Sequence, residues 1–300
     1  MGAAPTMAPC GARRNAAAPS RAPRIVFSDL DGTFLATDKS VLEPNLRALD
    51  ALAAAGGIFV PCSGRPLSGI PGELLAHPAT RFAIGANGAL TVELDARDRS
   101  AEAAAPIRRV PLSRDAALAV LDAARGHEVT FDVFADGRSY LERSWYDRLG
   151  SFIGDPMILK GIRMSRTPVD WPPEESIARA GSLERIAMYW RDPAERDAVL
   201  AGLAGIGHIE VTRSHPTNIE VMGEGCTKGA ALAWLCGHAG INRADAMAFG
   251  DNLNDIEMIR AAGTGVAVGN AEPEVKAAAD AVCPSNDEAG VGAFLLGVLG

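Results

Sequence analysis

What most limits the folds open to this chain is a set of short apolar runs, each stopping at a polar loop and separated by stretches with helical spacing. Ile25 to Ser28 ends in Asp29-Leu30-Asp31-Gly32-Thr33. Pro44 to Ala55 follows, with Leu46, Leu49 and Leu52 on one helical side and Gly56-Gly57 as the stop. Ile58 to Pro61 runs into Ser63-Gly64-Arg65-Pro66, and Phe82 to Ile84 runs into Gly85-Ala86-Asn87-Gly88. Runs this short and apolar read as buried strands. Strands alternating with helices predict a parallel sheet with crossover helices.

The alternation lapses between Ala89 and about His215. Ile107 to Leu112 reads as a strand, and Ser113 caps a helix running to Arg125. Thr130 to Phe134 and Ser139 to Glu142 flank a tight turn at Ala135-Asp136-Gly137. Ile186 to Trp190, Pro193 to Ala204 and His208 to Thr212 predict strand, helix and strand, and Thr167 to Pro173 predicts a loop. Alternation then resumes. Asn218 to Met222 reads as a strand, Lys228 to His238 as a helix, and Ala246 to Phe249 as a strand ending in Gly250-Asp251-Asn252. Leu253 to Ala262 and Pro273 to Ala279 read as helices, Gly265 to Val268 as a strand, and an apolar helix closes the chain. The expected fold class is α/β: a Rossmann-like parallel-sheet core interrupted by an α+β insert. The expected divisions are a tail at 1–23, core at 24–88, insert at 89–215 and core again at 216–300.

Residues 1–23 are rich in Ala and Pro and carry Arg13, Arg14 and Arg21, while the first acidic residue is Asp29. Such a segment has no apolar face to bury and is expected to be a disordered tail. A transit peptide is the alternative, against which the prolines and the lack of an amphipathic pattern count. The net charge of -8 excludes a broad basic surface for nucleic acid. It leaves room for an anionic substrate held locally by a metal and one or two basic side chains. The five cysteines, Cys10, Cys62, Cys226, Cys236 and Cys283, form no CxxC and no zinc spacing, so reduced thiols and a cytoplasmic location are expected. No apolar stretch approaches the roughly 18 residues of a membrane helix. Oligomeric state is not encoded in any pattern here.

In a parallel sheet, loops at the carboxyl ends of strands converge on one edge, which is where ligands bind. That edge would gather Asp29 to Thr33, Ser63 to Arg65 and Gly250 to Asp255, with Lys228 opening a helix nearby. Asp29 and Asp31 repel each other unless a cation or a shared proton intervenes. Oxygen ligands suit Mg2+. One carboxylate can attack phosphorus, and the other can protonate a leaving oxygen and then deprotonate water. Ser63 and Gly64 offer a hydroxyl and a backbone N–H to phosphate, and Lys228 offers charge neutralisation. Each feature has an ordinary reading as well: an Asp-Gly turn, a helix cap, a surface lysine. Motifs for dinucleotides, HExxH zinc and GxSxG nucleophiles are absent, and Gly223 to Gly229 has Thr227 where a P-loop needs glycine.

Taken together, the residues resemble the haloacid dehalogenase superfamily of phosphatases. FSDLDGTFL resembles its first motif, PCSGRP the second, Lys228 in EGCTKGAAL the third, and FGDNLNDIEMI the fourth. The insert's size and position, with IGANGAL before it, are similar to the Cof-like branch with a type IIB cap. Phe34 stands where Leu is usual, which touches packing and not chemistry. The resemblance implies Asp29 as nucleophile and metal ligand, and Asp31 as general acid and base with its backbone carbonyl on the metal. It implies Asp251 as the remaining protein ligand to Mg2+, and Asp255 holding Lys228 or standing behind the ligands. Ser63, Gly64, Lys228 and Asn254 would hold phosphoryl oxygens. The implied substrate is a small phosphorylated metabolite, a sugar phosphate or phosphorylated cofactor, selected by the cap. A phosphomutase on the same scaffold and a non-catalytic sugar-phosphate sensor are the rival expectations.

Overall fold

The computed structural model describes residues 22–300. The expectation of a disordered tail at 1–23 falls almost wholly outside that range. The chain enters through β1 (Ile25–Ser28) and β2 (Ile58–Pro61), joined by the helix Glu43–Ala54. β3 (Phe82–Gly85), β4 (Leu90–Glu93) and β5 (Ala105–Arg109) follow. Next come β6 (Asp132–Ala135), β7 (Arg138–Glu142), β8 (Thr167–Val169), β9 (Leu183–Tyr189), β10 (Ile209–Thr212) and β11 (Asn218–Gly223). The chain returns through β12 (Ala246–Gly250), β13 (Thr264–Ala267) and β14 (Ala281–Val282).

These strands form three sheets. The parallel sheet has the order β14-β13-β12-β1-β2, with β1 between β12 and β2. Every residue of β1 is buried, which is why the run carries no solvent-facing alternation. Val26 faces a core shared with Leu49, Leu52, Phe59 and Leu295. Ile25 and Phe27 face the opposite core, with Leu232 and Leu235 of the helix Lys228–His238. The second sheet has the order β10-β11-β9-β6-β7-β8 and is antiparallel except between β7 and β8. It packs on the helices Arg114–Ala124 and Pro193–Leu203 through its own core around Val120, Val133, Ile186 and Val199.

Pairing changes four of the sequence expectations. Phe82 to Ile84 was expected in the parallel sheet. β3 touches β2 only by isolated parallel bridges and instead begins the antiparallel sheet β3-β4-β5. The reason is local: Ala86, Asn87 and Gly88 all have positive φ and reverse the chain at once. The Ile107 to Leu112 run, expected in the insert, enters this small sheet as part of β5. The run Asn218 to Met222, expected in the returning core, lies as β11 between β10 and β9. Thr167 to Pro173 was expected to be a loop. It contains β8, an edge strand where Pro168 costs no internal ladder bond. The helix Pro156–Ser165 escaped the sequence reading, although Asp155 caps it and Pro156 stands at its first position.

Cys62, Cys226, Cys236 and Cys283 are buried and free. No helix among the described residues is long and apolar enough to cross a membrane.

Asn45 ties the two ends of the core together. It is fully buried, donates to the Phe34 carbonyl at 2.8 Å and accepts from the Gly292 N–H at 2.8 Å. Replacement by Ala strands both backbone groups, so Asn45→Ala is expected to lower unfolding free energy by about 2 kcal/mol. Urea denaturation checks this, and a loss under ~0.5 kcal/mol would contradict the role.

Candidate active site

Asp29 follows β1, Ser63 lies just past β2, and Asp251 follows β12. Because those three strands are neighbours and parallel, their carboxyl ends bring the three loops to one edge. Gly32 is required where the first loop meets the last. It has φ +88°, and a Cβ there would lie 2.6 Å from Asp251 Oδ2. Lys228 opens its helix behind Thr227, whose hydroxyl accepts from the Ala230 N–H. Gly88 (φ +103°) lets the strap after β3 approach the same point, since a Cβ would stand 2.5 Å from the Thr227 carbonyl.

The Lys228 side chain is fully buried, and its Nζ donates to Asp29 Oδ1 and Asp255 Oδ1, each at 2.6 Å. Asp255 Oδ2 accepts from the backbone N–H groups of Asp251 and Asn252. Burial pushes the Lys228 ammonium down, but Asp255 and Asp29 more than offset it, and its pKa stands above the ordinary lysine value. Burial pushes the Asp29 carboxyl up to about 7, against the pull of Lys228. Asp251 is raised well above the carboxylate range by burial and then by Asp29 and Asp255, and among the described residues only the Thr33 hydroxyl, 2.7 Å away, donates to it.

Asp31 has the opposite surroundings. Arg65 grips it with two bonds, Nε to Oδ2 at 2.6 Å and Nη2 to Oδ1 at 2.8 Å, and Lys39 Nζ stands 2.9 Å from Oδ1. Burial opposes ionisation of Asp31, but these contacts outweigh it and hold the carboxyl below the usual range.

One oxygen from each of Asp29, Asp251 and Asp255 falls in a cluster within 4.8 Å. An all-oxygen set suits a hard divalent cation. Asp255 has already spent both oxygens on Lys228 and the backbone, so Asp29 and Asp251 are the carboxylates left to hold one. The Asp31 carboxylate is not in this cluster, because Arg65 and Lys39 hold it. An uncompensated Asp251 beside Asp29 is the feature that fits a cation here.

Asp29, Asp31, Ser63, Gly64, Asp251 and Asn254 line one cleft of about 280 Å3. Lys228 does not line it and instead supports Asp29 from beneath. Ser63 is buried, and its Oγ accepts from the Arg65 N–H. Asn254 donates to Asn87 Oδ1 at 3.1 Å, and Asn87 donates to Glu220 Oε2 at 2.6 Å. The far wall comes from the second sheet and its helices. Arg185 of β9 is paired with Glu220, lies 4.0 Å over the Phe134 ring, and sits 3.2 Å from where a Gly64 Cβ would be. Arg166, Tyr189, His215, Ile158 and Ile162 complete this wall. Of the residues the sequence reading left without a role, Arg65 was signalled by its place in the Ser63-Gly64 loop. Lys39 and the far-wall residues carry no local signal, because only the tertiary fold brings them to the cleft.

A family model described as haloacid dehalogenase-like hydrolase matches residues 26–295. A putative phosphatase of Haemophilus influenzae is 26% identical over 279 residues, covering 91% of this chain and 97% of that protein. An HMP-PP phosphatase of Yersinia enterocolitica is 27% identical over 260 residues, covering 84% of this chain and 86% of that one. Among solved structures, a subclass IIB sugar phosphatase of the same superfamily superposes with a TM-score of 0.74 at 24% identity, covering 92% of this chain and 99% of that one. That likeness speaks to the fold.

The raised carboxyls make cation binding depend on pH. Asp29 binds protons more tightly in the folded, metal-free protein than unfolded, so it costs stability as pH rises from about 4 to about 7. A divalent cation binds the ionised form and offsets that cost. Thermal unfolding with and without Mg2+ is therefore expected to show stabilisation that is small at pH 5. It should grow by up to about 1.4 kcal/mol per pH unit per displaced proton until pH 7. Stabilisation that shrinks over that range would contradict the assignment.

Proposed function

The chain belongs to the haloacid dehalogenase-like hydrolases and is a phosphatase, and from that premise we propose a mechanism for it on small phosphorylated metabolites. Asp29 is the nucleophile. The observation that carries this is the buried Lys228, which occupies Asp29 Oδ1 and leaves Oδ2 for attack. Asp29 Oδ2 forms a bond to phosphorus as the bond from phosphorus to the leaving oxygen breaks, giving an aspartyl phosphate. The leaving oxygen takes a proton from Asp31. Water then gives a proton to Asp31 and its oxygen attacks phosphorus, releasing phosphate and restoring Asp29.

Arg65 and Lys39 keep Asp31 ionised in the free enzyme, which suits its role as base. To act first as acid, it must gain a proton as the substrate draws one of those cations away. Ser63, Gly64 and Asn254 face the cleft and hold phosphoryl oxygens, while Lys228 holds Asp29 and Asp255 and lends its charge from beneath. Mg2+, held by Asp29, Asp251 and the Asp31 backbone carbonyl, would neutralise phosphoryl charge. Positioning and charge neutralisation thus supply most of the rate. Sheet pairing supports a cap running from about Val110 to Gly223, in place of the 89–215 division the sequence suggested. The HMP-PP phosphatase among the similar proteins supports small phosphorylated compounds as the substrate class.

Asp29→Asn is expected to lower phosphate release by at least ~10³-fold while thermal unfolding shows a folded protein. Wild-type rates in that variant would remove Asp29 from the role. Asp31→Asn is expected to lower kcat by about 10²- to 10⁴-fold, most severely for leaving groups of high pKa. Equal losses across a leaving-group series would contradict proton transfer by Asp31.

A further inference from the structure

We propose that the substrate's leaving group is an uncharged alcohol bearing a flat ring, and that Tyr189 and His215 hold that ring in the outer cleft. The proposal rests on the phosphatase reading above. Three observations of the cleft carry it.

The first is charge pairing. Lys228 is shared by Asp29 and Asp255, and Arg65 and Lys39 share Asp31. On the far wall Arg166 Nε meets Asp132 Oδ2 at 2.7 Å, and Arg185 is bonded to Glu220. Both far-wall pairs are buried. Every one of these five cations already has a carboxylate, and Asp251 is surplus on the acidic side. A substrate phosphate would take its compensation from a bound cation and from whichever of Arg65 and Lys39 it draws from Asp31, where two cations share one carboxylate. A second anionic group, such as a carboxylate or another phosphate, would find no unspent cation among these residues and would be left uncompensated.

The second is that the two serine hydroxyls of the outer wall are committed internally. Ser165 Oγ donates to the Gly161 and Ile162 carbonyls and accepts from Arg166. Ser214 Oγ donates to Glu220 at 2.7 Å. A polyhydroxylated sugar needs many free partners, and a site that cannot supply them discriminates against it.

The third is the shape of what remains. Ile158 and Ile162, one helical turn apart on Pro156–Ser165, present apolar branches to the cleft. Tyr189 and His215 face it with ring centroids 6.4 Å apart and planes inclined by 54°. The Thr217 N–H donates to His215 Nδ1 at 3.2 Å, which places the hydrogen of the neutral imidazole on Nε2. Burial lowers the His215 pKa, favouring that neutral form. A ring inserted here meets apolar and aromatic surface and one imidazole N–H donor at its edge.

Steady-state phosphate release is measured for benzyl phosphate, glycerol 3-phosphate, glucose 6-phosphate and 3-phosphoglycerate, with Mg2+ present and acetyl phosphate as reference. Benzyl phosphate is expected to exceed glycerol 3-phosphate and glucose 6-phosphate in kcat/KM by about tenfold, with 3-phosphoglycerate lowest. His215→Ala is expected to cut the ratio of benzyl to acetyl phosphate turnover about tenfold, mainly through KM. Half-exposed His215 is chosen because truncating it leaves the cap core intact. A preference for glucose 6-phosphate or 3-phosphoglycerate, or a ratio unmoved in His215→Ala, overturns the inference while acetyl phosphate hydrolysis keeps the phosphatase reading. A folded protein that releases phosphate from none of the five, acetyl phosphate included, overturns both.

Discussion

The Lys228 ammonium, buried between Asp29 and Asp255, is the interaction on which the rest of the site depends. Taking a charge out of water costs several kcal/mol, and the cost is offset only when its partners are close and their other atoms are also bonded. Here they are. Asp255 turns its second oxygen to the N–H groups of Asp251 and Asn252, so the lysine, the helix start after β12 and Asp29 form one unit. That unit fixes Asp29 by one oxygen only. The same contact that stabilises the carboxylate leaves its Oδ2 without the lysine.

Two aspartates two residues apart receive opposite environments from the fold. Asp29 lies deep, where burial favours its neutral form, and Asp31 lies toward the cleft mouth, where Arg65 and Lys39 favour its charged form. Environments that push the titrations of two carboxyls apart are the usual basis for dividing two roles between them, and the proposed mechanism relies on that division. Leu30 between them is fully buried in the core, which turns the two carboxylates to different neighbours. Asp251 then stands as a carboxylate without a cation of its own, and this imbalance is the physical case for a metal.

The sequence showed the parallel core because its strands are buried on both faces and so carry uninterrupted apolar runs. It also marked the acidic and Ser-Gly loops that the parallel sheet brings to one edge, because each follows such a run directly. It could not show the sheet to which β11 belongs. Asn218 to Met222 looks like any buried strand, and only its register against β9 and β10 assigns it. Nor could it show Lys39, Arg185 or His215 at the cleft, because each arrives from a different element and none sits in a distinctive local pattern. Arg65 is intermediate: its position beside Ser63 was visible, and its grip on Asp31 needed the Asp29 to Thr33 loop folded against it.

Asn87 shows how the two parts of the molecule communicate. It has φ +57° in the strap after β3, is buried, and bonds Asn254 of the core on one side and Glu220 of β11 on the other. Glu220 keeps Arg185, Ser214 and Asn218 as partners even without Asn87. Separating the second sheet from the core at this point therefore frees one amide and leaves no buried carboxylate stranded. A polar junction built this way can part at low cost, whereas the Ser68 N–H, which donates to the Gly137 carbonyl at 3.1 Å, ties the second sheet to the core nearby. Arg185, lying against Gly64 and tethered to Glu220, moves with the second sheet. The second sheet thus places a guanidinium beside the Ser63-Gly64 loop of the core, and its charge is part of the cleft only while the two lie together.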